Sequence, residues 1–264
     1  MITQRQEQLV VRIIDKYIKL AEPISSKFLE KSGFFGLSSA TIRAEMNELE
    51  GLGYLAHPHT SGGRVPTDRG YRYYVDNLEN QKPKIKNQKY EHEIRTAMCR
   101  GGNDPRQINK FVAQTLSELS DNLVVANIEI EEEDEFFKTG LASLFEMPEF
   151  REFDRIFRMT NFFDEFDNIF GEIERAFFTV SAEALPNNRE GIRGKTGDDV
   201  KIFIGRENPI RDIRDETVMF AKYNLPQGCT GSLTLIGPTR MDYEKNIGLI
   251  KYATKELNKL SKSL

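Results

Sequence analysis

At 264 residues, with 37 basic and 41 acidic side chains and a net charge of −4, the chain has room for one large domain or two ordinary ones and is not an overall polycation. Hydrophobic residues make up 39% and charged residues 30%, enough for packed cores, and no run of about 18 apolar residues is present to span a membrane. Two isolated cysteines, Cys99 and Cys229, exclude a disulfide framework and a four-cysteine zinc site, so a reducing, cytoplasmic setting is expected.

Thr3 and Gln6 form a capping box ahead of the stripe Leu9, Val10, Ile13, Ile14, Tyr17 and Ile18, which predicts a helix to Leu20, with Pro23 as its break. These opening residues carry charges throughout and do not read as a secretory leader. Ser25 or Ser26 opens a second short helix through Phe28, Leu29 and Lys31, ended by Gly33. Ser38 or Ser39 caps a third, in which Ile42, Met46 and Leu49 share one apolar face, and Gly51-Leu52-Gly53 stops it. Ser38, Ser39, Thr41, Arg43 and Asn47 lie off that face, mostly toward its start. Tyr54-Leu55-Ala56 and Arg64-Val65-Pro66 read as two short strands, and Gly62 and Gly63 permit the positive φ of a tight tip. Thr67 then caps a helix carrying Arg69, Tyr71, Arg72, Tyr73, Tyr74 and Val75.

That order of elements within residues 1–79 is a winged helix-turn-helix, whose third helix presents its N-terminal residues to base edges. Ser38, Ser39, Thr41, Arg43 and Asn47 are the expected major-groove residues, with Arg43 able to donate a fork of hydrogen bonds to guanine or phosphate. Thr60, Ser61 and Arg64 are the expected contacts of the wing. The competing reading of the third helix is an ordinary capped core helix with a solvated face. Residues 1–80 hold ten basic and ten acidic side chains, so binding must rest on local cations, base contacts and two linked half-sites.

Residues 80–89, NQKPKIKNQK, read as a linker, and 90–264 as a second domain. Tyr90–Arg100 is expected to be helical, stopped by Gly101-Gly102, and Asp104-Pro105 opens a helix with Ile108, Phe111, Val112, Leu116 and Leu119 on its apolar face. Leu123–Ile130 reads as a strand and Glu131–Glu135 as solvent-exposed. The acidic, phenylalanine-rich stretch 131–180 is expected to be mainly helical: one short helix around Leu141, Leu144 and Phe145, then one or two more between Phe153 and Phe177, packing as core or dimer contact. Val200–Ile204, Val218–Tyr223 and Ser232–Ile236 read as strands, and Asp242 caps a final helix with Ile247, Ile250 and Leu257 facing inward. The whole is an α+β chain.

Catalytic signals are weak. Gly191-Ile192-Arg193-Gly194-Lys195-Thr196 hints at a phosphate loop, yet only two residues separate its first glycine from Gly-Lys-Thr where four are needed. His57, His59 and His92 complete no metal set. No enzyme activity, cofactor or metal is expected.

The strings EPISSKFL, LSSATIRAEMNELEGLGYL and PHTSGGRVPTDRGYRYYVD, with FIGRENP at Phe203–Pro209, IGPTRMDY at Ile236–Tyr243 and SLFEMPEF at Ser143–Phe150, resemble the HrcA-type heat-inducible transcription repressors. The resemblance implies a second domain of GAF-like fold and a homodimer that binds an inverted repeat upstream of chaperone operons. It also implies the chaperonin as a partner. Relatives of that type carry several strands and an inserted dimerisation subdomain between the segments matching Leu123–Ile130 and Phe136–Phe150. This chain passes between them almost directly, so its GAF-like domain is a reduced one, and the helices from Phe153 to Phe178 are expected to supply the dimer contact. The alternatives are a winged-helix protein-interaction module and a ligand-sensing regulator of other genes.

Overall fold

The computed structural model describes residues 2–33, 36–58, 62–80, 87–131, 133–179 and 200–263. The fold is mixed α+β, and the chain divides into two compact units, Met1–Lys82 with Thr239–Met241 and Pro83–Pro238 with Asp242–Leu264.

In the first unit the helices follow their caps. The Thr3 side chain accepts from the Gln6 amide, and Gln6 accepts from the Thr3 amide, opening α1 (Gln4–Leu20). α2 (Ser26–Lys31) starts at Ser25 and α3 (Ser39–Gly51) at Ser38. β1 (Leu55–Ala56) and β2 (Val65–Pro66) pair antiparallel, and α4 (Asp68–Asn80) follows, its Gly70 amide donating to the Thr67 hydroxyl. The predicted stripes meet in one core: Leu9, Val10, Ile13 and Ile14 with Leu29, Ile42, Met46, Leu49, Tyr71, Tyr74 and Val75. Each fully buried aliphatic or aromatic chain there contributes about 1.5–3 kcal/mol relative to exposure.

The second unit is built on a five-stranded sheet. Its strands are β3 (Leu123–Ile130), β4 (Glu133–Thr139), β5 (Lys201–Ile204), β6 (Glu216–Asn224) and β7 (Thr230–Pro238). They run in the order β4-β3-β7-β6-β5 with every pair antiparallel. The helices are α5 (Gln88–Gly101), α6 (Pro105–Ser120), α7 (Leu141–Glu146), α8 (Phe153–Thr179) and α9 (Tyr243–Ser263). On one sheet face Leu123, Val125, Val218, Phe220 and Ile236 join Leu144 of α7 and Phe162, Phe166 and Phe170 of α8 in a single apolar cluster. On the other, the Tyr223 hydroxyl donates to Asn109 of α6, and Thr217 shares a 2.9 Å hydrogen bond with Tyr243 of α9.

One expectation for 131–180 changes. The segment is not helical from its start: Glu133–Thr139 is the edge strand β4, paired with β3 from Val124↔Thr139 to Ile130↔Glu133. Glu133, Asp134 and Glu135 are exposed as their charge requires, but an edge strand needs only backbone pairing, and charges along it discourage edge-to-edge association. Glu131, at φ 52°, takes the left-handed conformation that tight hairpin turns use. The phenylalanine run forms the single helix α8, and its Phe162, Phe166 and Phe170 belong to the core, while Phe153 and Phe157 stay exposed with rings stacked 6.3 Å apart. Within the linker stretch, Asn80 ends α4, Gln88 begins α5, and 81–86 lie outside the described residues, as does the 191–196 loop. Among the described residues no helix is long and apolar enough to cross a membrane, and no cluster of three or more His, Cys, Asp or Glu is arranged to hold a metal ion.

Candidate nucleic-acid interface

α3 has two chemically distinct sides. Ile42, Met46 and Leu49 turn into the core, while Ala40, Thr41, Arg43, Ala44, Asn47 and Glu48 are exposed. The acids of this helix are tied to other elements. Glu45 pairs with Arg5 of α1, Glu48 accepts from the Gln6 amide nitrogen at 2.6 Å, and Glu50 lies 2.8 Å from Arg64 of the hairpin. Arg43 makes no hydrogen bond or ion pair among the described residues, so the outward face keeps a free guanidinium while the neighbouring carboxylates are neutralised or engaged. This arrangement reconciles an electrically balanced unit with a locally cationic helix face, since phosphate and base contacts depend on nearby charge rather than on the total.

The two serines at the start of α3 have structural partners. Ser38 is the N-cap, accepting from the Thr41 amide at 3.2 Å and sharing a 3.0 Å contact with the Thr41 hydroxyl. Ser39 is half-buried: its hydroxyl meets that of Ser26 in α2 at 2.9 Å and its amide donates to Glu30. These bonds fix α2 against α3 and set the angle at which the outer face is offered. Lys27 of α2 is also exposed without a partner among the described residues. The sequence reading missed it, although its place beside Ser26 on a capped short helix signals a solvent-facing cation.

The hairpin is anchored at its base. The Ile24 and Arg64 backbones exchange two hydrogen bonds of 2.9 Å, and a Cβ on Gly63 would stand 2.7 Å from the carbonyl of Pro23. Gly63→Ala is therefore expected to lower stability by about 1–3 kcal/mol through forced displacement of backbone, read as a lower urea midpoint. Arg69 of α4 donates to the Leu52 carbonyl at 2.6 Å and lies over the Tyr54 ring, while the Thr67 hydroxyl donates to Gly53. These contacts close the end of α3 and hold β1 to α4. His57 bonds the Pro58 carbonyl, and His59, Thr60 and Ser61 lie outside the described residues. Of the predicted site residues, Thr41, Arg43 and Asn47 are each exposed on α3, Arg43 and Asn47 stand one turn apart on the same side, and Arg64 reaches Asn47 from the hairpin at 2.7 Å.

Comparison with known proteins adds to this geometry. Residues 76–247 match a family model described as the HrcA protein C terminal domain. The chain is 24% identical to the heat-inducible transcription repressor HrcA of Brevibacillus brevis over 354 aligned positions, covering 98% of each chain. It is 28% identical to the protein of the same name from Oceanobacillus iheyensis, covering 97% of this chain and 96% of the relative. With 264 residues against 354 aligned positions, at least 90 positions of the first relative have no counterpart here. A solved crystal structure of a hypothetical protein shares the fold, with a TM-score of 0.77 at 17% identity over 100% of this chain and 99% of that one.

Proposed function

Since this chain belongs to the HrcA family, we propose that it is a sequence-specific DNA-binding repressor of heat-shock chaperone operons that occupies an inverted-repeat operator as a homodimer and excludes polymerase. Residues 1–79 act as the winged helix-turn-helix, 80–89 as a linker, and 90–264 as a reduced GAF-like regulatory and dimerisation domain. The observation that carries this reading is the outer face of α3, where Arg43 and Asn47 are exposed one turn apart and Arg43 has no partner among the described residues. Its relatives bear the name of heat-inducible transcription repressors, which supports the same conclusion. Thr41, Arg43 and Asn47 face the bases, and Ser38 and Ser39 set the helix start, the first by capping the Thr41 amide and the second by its bond to Ser26. Thr60 and Ser61 follow the wing. Phe153 and Phe157 supply the dimer contact, and the chaperonin is the regulatory partner.

Fluorescence anisotropy at near-physiological salt, with a duplex carrying the family's inverted repeat against a scrambled duplex, tests the reading. The repeat should bind far more tightly, and Arg43→Ala should cost about 1–3 kcal/mol on it alone. An unchanged affinity removes Arg43 from the interface. The balanced charge of residues 1–80 favours a second reading, a protein-interaction module, and a salt titration separates the two because DNA binding must weaken steeply as salt rises.

A further inference from the structure

The hairpin arginine is not a free cation. Its backbone is pinned to Ile24, its Nε stands 2.8 Å from the Glu50 carboxylate, its Nη1 donates to the Gly63 carbonyl at 3.3 Å, and only 12% of its side chain is exposed. Its remaining contact is the informative one: Nη2 donates to Oδ1 of Asn47 at 2.7 Å. A guanidinium has donors and no acceptor, so the Asn47 side chain must turn its oxygen to Arg64. The amide nitrogen, with two donors, is then the edge left to solvent, and it has no partner among the described residues.

We propose that Arg64 is a positioning residue that sets which edge of Asn47 meets the DNA. The inference rests on the DNA-binding reading above. An asparagine free to rotate reads adenine with both edges, donating to N7 and accepting from the N6 amine. Asn47 held by Arg64 leads with its donors and selects a base that offers an acceptor in the major groove, such as a purine N7, guanine O6 or thymine O4. Arg64 is itself paired with Glu50, so it adds little net attraction for phosphate. The hairpin thereby contributes to specificity through α3 instead of through its own contact.

The test uses duplexes that the wild-type protein selects from a randomised pool, each base pair then being replaced in turn. Asn47→Ala and Arg64→Ala should relax the preference at the same base pair, by about tenfold, and the double variant should be no worse than Asn47→Ala alone. Arg64→Ala should leave the salt dependence unchanged. Uniform weakening on every duplex, with the salt slope reduced by about 1, would make Arg64 a phosphate ligand and overturn the proposal. Thermal melts check that each variant folds, and Arg64→Lys, which keeps the charge but not the fork, should behave like Arg64→Ala. In the free protein the Asn47 side-chain NH2 resonances should move in Arg64→Ala, and unmoved resonances overturn the contact itself. A wild type that selects no sequence rejects the DNA reading instead, a result separable from the spectrum.

Discussion

Phe166→Ala should lower the stability of the second unit by about 3–5 kcal/mol. Phe166 is 1% exposed, and its ring has Phe136, Phe162 and Phe170 at centroid distances of 5.9, 5.6 and 5.8 Å. The partners come from β4 and from both directions along α8, so the hole left by truncation is walled by residues that the sheet and the helix hold in place. Such a site cannot collapse, and the cavity adds to the lost transfer energy. Urea unfolding should show a lower midpoint with an unchanged slope. A loss below about 1 kcal/mol would mean that α8 is not seated on the sheet as described.

Glu216→Ala should cost about 3 kcal/mol, the lower part of the range for breaking a buried ion pair. Glu216 is 1% exposed at the start of β6, and Arg155 of α8 clasps both its oxygens at 2.8 Å, while also donating to the Asp215 carbonyl and lying over the Phe150 ring. Removal of the carboxylate leaves a guanidinium largely buried without its partner, and the partner's residual exposure keeps the cost at the low end. Replacing both residues with apolar ones, Arg155→Met with Glu216→Leu, should recover most of the loss, because the pair's attraction roughly offsets its desolvation. Burial pushes the Glu216 carboxyl above its usual range, against the downward pull of Arg155. A folded-state value above the unfolded one means that this group favours folding most in acid, and that the advantage is lost as pH rises through the raised value. Glu216→Gln keeps an acceptor for Arg155 and removes the titration, so its stability should fall less than that of the wild type over that rise. Identical pH profiles for the two would show that Glu216 titrates normally.

Sequence legibility differed by element for identifiable reasons. α1, α3 and α6 were readable because a cap and an apolar stripe at helical spacing are local signals; the centre of each stripe is buried, while Tyr17, Ile18, Phe111 and Leu119 at the stripe edges are only half-buried. β4 was not, because its first half is acidic and its second half opens a phenylalanine run. Neither half shows the alternation of a half-buried strand, and only pairing with β3 makes it one. Phe153 and Phe162 stand nine residues apart, on opposite sides of the helix, and one is 76% exposed and the other 2%. The sheet decides between them by covering a single face of α8.

The candidate site divides in the same way. The sequence by itself determined that α3 begins at a serine cap, carries Arg43 and Asn47 off its apolar face, and is followed by a glycine hairpin, since capping, periodicity and turn chemistry act over a few residues. Tertiary structure alone decided that the Ser39 hydroxyl is engaged with Ser26, that Glu45 and Glu50 are neutralised by Arg5 and Arg64, and that Arg64 turns the Asn47 amide. Those pairings link residues 13 to 40 positions apart. A hydrogen bond or ion pair is set by distances of about 3 Å, which local propensity does not encode and which only the packing of helices and hairpin around a shared core can fix.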